Sequence, residues 1–358
     1  MRNVERIDPA TVAPLHLRDL LADALDGGPA VALTERAIDE IPEGAALLIE
    51  TGGSTGEPKI VALSSDAMKS SASLSNQALG AVKGDRWSLS LPLNHIAGIN
   101  QLLRAIDLGS DPVESDASFI SIVPTQLYRA LEKQDSLFDQ LKSAKRVLIG
   151  GAMIPMQLVE RASEHGINLV ASYGMTEMCG GCIYNGRALP GVAIEIRDAG
   201  RIALSGPMRA IGYLNNPVAN AEAFVGEWFL TSDAGALDRN GILQVIGRVD
   251  DVIISGGEKI SPNEVTKILQ GYFPAYEIYV IGIPDEEWGQ SLRVVMANNK
   301  SSDGSQKISL QYIRDIVGGA LGKVAAPRSL LLLSEIPTKE NGKVDLAALT
   351  TASATEIY

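Results

Sequence analysis

Residues 45–63 read Ala-Ala-Leu-Leu-Ile-Glu-Thr-Gly-Gly-Ser-Thr-Gly-Glu-Pro-Lys-Ile-Val-Ala-Leu. The apolar run 45–51 predicts a strand that opens into a glycine-rich loop, and a second apolar run, 60–63, follows it. Ser64-Ser65-Asp66 then supplies capping oxygens for a helix running to about residue 82. Outward from this segment the alternation repeats. Strand 86–93 precedes helix 97–108, strand 119–123 precedes helix 124–133, strand 147–149 precedes helix 155–165, and strand 169–172 closes the series. Strand and helix at this spacing predict a mostly parallel sheet covered by helices.

After Gly191 the rhythm shortens. Runs 192–197 and 201–204 flank Asp198-Ala199-Gly200, a loop suited to a hairpin, and short runs at 228–230, 235–237 and 242–246 extend an antiparallel β subdomain. From Arg248 onward the pattern mixes again: strand 252–254, helix 262–270, strands 277–283 and 292–297, helix 310–321 and strand 330–333. The expected fold is therefore α/β. A large N-terminal domain, 1–249, carries parallel-rich sheet and the antiparallel subdomain, and a small α+β domain, 250–358, follows a boundary near Asp250.

Composition narrows the function. Against 43 Asp plus Glu stand 31 Lys plus Arg, a net charge of −12, which argues against a general nucleic-acid or membrane-surface binder. Hydrophobic residues make up 46% of the chain, enough for a sizeable core. Two cysteines cannot build a disulfide framework, the charged N-terminus lacks a signal-peptide core, and no apolar run is long enough to span a membrane. A cytoplasmic protein without integral membrane association is the expectation. The Cys179/Cys182 spacing has no second pair to complete a zinc site and reads as two small buried residues.

In the 51–59 loop, Gly52, Gly53 and Gly56 let backbone N–H groups approach an oxyanion, while Ser54, Thr55 and Lys59 add donors suited to a di- or triphosphate. The loop cannot be aligned with a Walker A motif, and the alternative is a plain glycine-rich hairpin turn. Ligands gather at the C-terminal ends of parallel strands. Four more predicted strand ends carry suitable groups: His95, Pro124-Thr125-Gln126, Gly150-Gly151-Ala152 and Tyr173-Gly174-Met175-Thr176-Glu177.

Thr51–Lys59 resembles the phosphate loop of the adenylate-forming superfamily, which includes acyl-CoA ligases, adenylation domains and firefly luciferase. Tyr173-Gly174-Met175-Thr176-Glu177 resembles its Tyr-Gly-x-Thr-Glu motif. Trp228 to Asp233 looks like its ribose-binding segment, and Gly247-Arg248-Val249-Asp250-Asp251 with Ser255-Gly256-Gly257-Glu258-Lys259 is similar to its hinge and mobile-domain motif. Pro337 to Lys343 looks like its lysine-bearing motif. These occur in the family's order across about residues 45–345. Leu91-Pro92-Leu93-Asn94-His95-Ile96-Ala97-Gly98, Arg104 and Val123-Pro124-Thr125-Gln126-Leu127 narrow the resemblance to the o-succinylbenzoate–CoA ligases of menaquinone biosynthesis. The match is to a compact, actinobacterial-type form, because only about 50 residues precede the phosphate loop.

The resemblance implies the partners ATP, Mg²⁺, o-succinylbenzoate and CoA, with a homodimer left open. It implies that a carboxylate attacks the α-phosphate to give acyl-AMP, and that CoA then displaces AMP. Lys343 would bridge the reacting anions, Thr176 would hold the α-phosphate and Glu177 would meet the metal. Ser54, Thr55 and Lys59 would hold the β- and γ-phosphates. Gly150, Gly151 and Ala152 would line the adenine slot, Asp233 and Arg248 would take the ribose, and Thr51, Gly56, Tyr173 and Gly174 would also belong to the ATP site. His95, Arg104, Gln126 and Ser172 would line the acyl pocket, Arg104 through a carboxylate of the substrate. Asp250 would be the hinge of a rotating domain, with Gly256 and Gly257 along the pantetheine channel. Gly52 in place of the usual Ser, Glu57 beside the phosphates, Lys259 in place of an Arg and Leu346 depart from the pattern. Another aryl- or acyl-CoA ligase, and a nucleotide binder without catalysis, remain the alternatives.

Overall fold

The computed structural model describes residues 2–36, 38, 40–51, 58–249, 253–297, 308–338 and 344–358. Two compact units emerge. The first comprises Met1–Arg197, Ile202–Thr231 and Leu237–Gln244, and the second comprises Asp198–Arg201, Ser232–Ala236 and Val245–Tyr358.

Two five-stranded sheets organise the first unit. One runs in the order Val4–Arg6, Ala30–Leu33, Ala45–Thr51, Lys59–Ser64, Gly212–Tyr213, parallel across the first three and antiparallel thereafter. The other runs Phe119–Ile122, Arg146–Gly150, Leu169–Met175, Gly180–Tyr184, Arg187–Ala188, again parallel first and antiparallel last. The period-2 alternation of strands decides which residues face which layer. Leu47, Ile49, Val61 and Leu63 enter the largest apolar cluster with Leu148 and Val170 of the other sheet, while Leu48, Ile60 and Ala62 cover the opposite face. Helices Pro14–Leu25, Ser65–Leu79 and Ile96–Asp107 contribute Leu17, Leu21, Met68, Leu102 and Leu103 to that largest cluster, between the two sheets. Ile120, Ile122, Val147 and Ile149 point the other way, onto helices Pro124–Lys133, Ser136–Ser143 and Met156–Glu164. Ser64 caps its helix as expected, accepting from Ala67 N at 3.1 Å.

The expected strand 86–93 is not formed. Trp87 and Ser88 make only single parallel bridges, to Phe119 and Val113. The N–H groups of Ser90 and Leu91 are taken at 3.2 and 3.3 Å by the side-chain oxygen of the fully buried Gln101, and Pro92 has no N–H to offer. A side chain replaces a neighbouring strand.

In the second unit, Glu277–Asp285 and Gly289–Ala297 form a nine-residue antiparallel ladder. On its other edge Gly289–Ala297 pairs with Ser329–Leu333, which is followed by Glu356–Ile357, and through Gly289 with Ser255 of the hairpin Ile253–Ser255 and Glu258–Ile260. Helices Pro262–Tyr272 and Leu310–Leu321 cover one face through Val265, Leu269, Ile313 and Val317, and helix Leu346–Thr351 plants Leu349 on the other. The hairpin expected around Asp198 is present between Ala193–Ile196 and Arg201–Ser205. The two runs expected at 228–230 and 235–237 join in one strand, Trp228–Leu237. The architecture is mixed α/β, with a large N-terminal and a small C-terminal domain.

Candidate active site

The glycine-rich loop joins an antiparallel pair. Thr51 and Lys59 face each other across the ladder, and the Thr51 hydroxyl donates to Lys59 C=O at 3.2 Å. The loop is thus a hairpin connection whose base is fixed at those two residues; Ser54, Thr55 and Gly56 lie outside the described residues. Lys59 is exposed, and its ammonium sits 4.7 Å from the centre of the Tyr213 ring.

Tyr173 and Gly174 lie inside strand Leu169–Met175, which is longer than the expected 169–172. Thr176 and Glu177 begin the 3₁₀ turn directly after it. That turn is gripped from outside: Glu177 C=O accepts from Ala210 N at 2.8 Å, and Glu177 Oε1 accepts from the Tyr213 hydroxyl at 2.7 Å. Burial together with the Glu177 charge pushes the Tyr213 phenol well above its ordinary value, so it remains a donor. Ser172 pairs with Gly150 on the adjacent parallel strand. A Cβ on Gly150 would stand 2.6 Å from Ser172 C=O, so close strand approach is itself enough to require glycine there. Gly151 and Ala152 follow at the strand's end and are exposed.

Arg104 is the outlier. It is only 2% exposed. Its guanidinium lies 4.7 Å from the centre of the Trp87 ring and donates at 3.4 Å to Ser121 Oγ and to Tyr184 Oη. Nε is buried without a partner, and no acidic side chain among the described residues pairs with it. Around it Trp87 Nε1 donates to Asn76 Oδ1 at 2.9 Å, and Tyr184 and Ser75 share a hydroxyl contact of 2.6 Å. Gln126 is knitted into the same region. Its amide nitrogen donates to Ser90 C=O at 3.0 Å and its oxygen accepts from Val123 N at 3.0 Å, so both ends hold loops. His95 caps helix Ile96–Asp107 through its carbonyl, which accepts from Gly98 N at 3.0 Å. It is part-exposed, not a core histidine. Nine residues, about 13 Å of helix axis, separate its Cα from that of Arg104.

In the second unit, Val249 N donates to Ser232 C=O at 2.7 Å, which sets Arg248 and Asp233 on neighbouring strands near that bond. Gly256 adopts a φ of +57°, and a Cβ there would fall 2.6 Å from the Trp288 ring. Its N–H donates to Trp288 C=O at 3.0 Å. Packing on Trp288 therefore demands glycine at Gly256 irrespective of any ligand. Gly257 leaves open space. Asp250 and Lys343 lie outside the described residues, though the flanks of the lysine segment meet at a Thr338–Val344 bridge and an Asp345 N to Pro337 C=O bond of 2.9 Å.

Sequence reasoning missed Tyr213, Tyr184 and Ser121. Each is distant in sequence from the group it touches, and no local spacing flags it.

Comparison with known proteins gives the family. The AMP-binding enzyme family matches residues 19–225, and its C-terminal domain matches residues 272–343. A probable 2-succinylbenzoate–CoA ligase of Mycobacterium tuberculosis is 34% identical over 364 residues, covering 96% of this chain and 91% of that protein. The o-succinylbenzoate CoA synthetase of Bacillus subtilis, solved with its acyl-adenylate intermediate, superposes with a TM-score of 0.75 at 26% identity, covering 99% of this chain and 84% of that one. The same protein with ATP and magnesium ion gives 0.71 at 25%, covering 95% and 82%. With a family match over more than half its length and a relative 34% identical across 96% of it, this chain belongs to the AMP-binding enzyme family.

Proposed function

We propose that this chain activates o-succinylbenzoate with ATP as the acyl-adenylate and transfers the acyl group to CoA, the thioester-forming reaction named for its relatives and placed by resemblance in menaquinone biosynthesis. The observation that carries the substrate class is Arg104. A guanidinium buried without an acidic partner among the described residues, with an unbonded Nε, is costly to desolvate and is matched to an anionic ligand that binds it through parallel N–H bonds. A substrate with two carboxylates offers one to react and one for recognition.

The first step forms a bond between the substrate carboxylate oxygen and the α-phosphorus and breaks the bond to the bridging oxygen, releasing pyrophosphate. Both reactants are anions. Lys343 places a cation between them, Thr176 donates to an α-phosphate oxygen, and the loop donors with Lys59 retain the leaving pyrophosphate. Asp233 accepts from the ribose hydroxyls with Arg248 beside it. In the second step the CoA sulfur attacks the acyl carbon, the bond to the phosphate oxygen breaks, AMP leaves with the electron pair, and the thiol proton passes to solvent. Asp250 serves as the hinge between the two steps, with Gly257 along the thiol's approach.

Among the described residues no group of three or more His, Cys, Asp or Glu gathers into a cage for a resident metal. The single Glu177 carboxylate beside Thr176 fits Mg²⁺ instead. That ion takes one or two carboxylates and completes its shell from substrate phosphates and water, and bound with ATP it neutralises phosphate charge. No helix among the described residues is long and apolar enough to cross a membrane.

The test is a panel of acids with ATP and CoA: o-succinylbenzoate, benzoate, a medium-chain fatty acid and an amino acid, with AMP and thioester read by mass. Turnover confined to o-succinylbenzoate supports the proposal. Equal turnover of benzoate would remove Arg104 as a selector, and no AMP with any acid would leave a nucleotide binder.

A further inference from the structure

We propose that Tyr213 is a positioning residue for Glu177, fixing that carboxylate in the orientation in which it meets the divalent cation of metal–ATP, with Lys59 on the tyrosine ring tying it to the phosphate-loop strand. This rests on the reading of Glu177 as a metal contact given above.

The backbone of Tyr213 is held from several sides. Gly212 and Tyr213 pair with Ala62 and Val61, the strand that begins at Lys59. The Asn220 side chain clamps both polar groups of Tyr213, accepting from its N–H at 2.6 Å and donating to its C=O at 2.8 Å. The ring is set edge-on to Phe224, with centroids 5.3 Å apart, and Lys59 covers a ring face. Only 7% of the residue is exposed. From this seat one hydroxyl reaches Glu177 Oε1 at 2.7 Å. Phenylalanine would satisfy every apolar contact, so packing does not account for the hydroxyl.

Glu177 needs such a partner. Its side chain has several rotatable bonds and sits on a three-residue turn, where rotamer freedom is lost when the metal binds. A rigid donor on one carboxylate oxygen settles the carboxylate plane beforehand, as outer partners of ligating carboxylates do in metal sites. The ammonium on the ring polarises the phenol and strengthens it as a donor. Motion of Lys59 and orientation of Glu177 are thereby coupled through one aromatic side chain.

The experiment compares wild type, Tyr213→Phe and Glu177→Gln. Mn²⁺ is titrated into enzyme held in excess over ATP and bound metal is read by electron paramagnetic resonance. Pyrophosphate release is measured as a function of Mg²⁺, and thermal midpoints are recorded without ligand. Tyr213→Phe is expected to raise half-saturating Mn²⁺ about tenfold, the scale of one hydrogen bond to a charged group. Its pyrophosphate-release rate should return to near wild type at saturating Mg²⁺, with a thermal midpoint little changed. An unaltered Mn²⁺ titration, or weakened binding that merely follows a fall in thermal midpoint, would overturn the proposal. Glu177→Gln separates the layers. If it leaves Mn²⁺ binding intact, the metal role of Glu177 fails; if it abolishes binding while Tyr213→Phe does nothing, only the role of Tyr213 fails.

Discussion

Replacing Arg104 by Met keeps a long side chain on Trp87 and removes the charge. Three favourable contacts are lost: two hydrogen bonds of 3.4 Å, to Ser121 and Tyr184, and the stack on Trp87. Hydrogen bonds are worth about 1 kcal/mol each and a desolvated cation–π contact about 2 kcal/mol, so roughly 4 kcal/mol is at stake. At 3.4 Å the hydrogen bonds are long, and the true loss is smaller. Against it stands the penalty for an unpaired buried cation, itself several kcal/mol. The two nearly cancel, so the ligand-free R104M protein should unfold at a temperature equal to or above that of wild type. Substrate recognition should behave differently. Losing one partner of a buried charge pair costs about 2–5 kcal/mol, or roughly 30- to 4,000-fold in the apparent constant for the dicarboxylate, with the ATP constant little moved. Differential scanning fluorimetry without ligand and pyrophosphate-release kinetics with each substrate varied read both quantities. A large loss of thermal stability, or acid and ATP constants rising together, would make Arg104 a structural residue and refute the reasoning.

Lys343→Ala should slow acyl-adenylate formation by at least about 10²-fold, the effect of deleting a preplaced charge stabiliser; thioester formation from preformed acyl-adenylate should persist, and equal damage to both steps would contradict the assignment. Asp85 is 5% exposed. Burial opposes its ionisation, but Lys145 at 2.5 Å and the Val82 N–H prevail and hold its carboxyl below the ordinary 3.8. A depressed folded value stabilises above the ordinary value and loses that contribution as pH falls through the folded one. Lys145→Met should therefore lower the thermal midpoint at pH 7 and shrink its acid dependence below about pH 4, whereas an identical pH profile would dismiss the pair. Burial pushes the thiols of Cys179 and Cys182 up to about 12. Native protein at pH 8 should resist an aromatic disulfide reagent until denatured, and rapid labelling of the folded chain would show the site to be open.

Much of the fold was legible because period-2 and period-3.6 patterns are local. Helices Pro124–Lys133 and Leu310–Leu321 begin and end where their sequence says, since a proline or a serine cap starts each one. What escaped was set by distant groups. The 86–93 run has strand composition, but Gln101 takes its N–H groups. Helix Ser136–Ser143 is short and follows so closely on the preceding helix that no apolar gap announces it. The order of motifs disclosed the family, yet the reason for individual glycines did not follow from it. Gly150 answers to Ser172 on the adjoining strand and Gly256 to Trp288, contacts invisible in a linear reading. Arg104 was identified by position, whereas its burial and its lack of an acidic partner among the described residues, the features that give it chemical meaning, belong to the folded chain alone. Tyr213 carried no signal: an aromatic residue between Gly212 and Leu214 looks like any edge-strand residue until Glu177 is brought beneath its hydroxyl.

The central claim concerns which bonds exchange. With o-succinylbenzoate labelled by ¹⁸O in its carboxylates, and with ATP, Mg²⁺ and CoA, attack on the α-phosphorus followed by thiol displacement must leave one labelled oxygen on AMP. Mass spectrometry of the isolated nucleotide should find it there. Label in inorganic phosphate with ADP as the nucleotide product, or AMP free of label, would contradict the account.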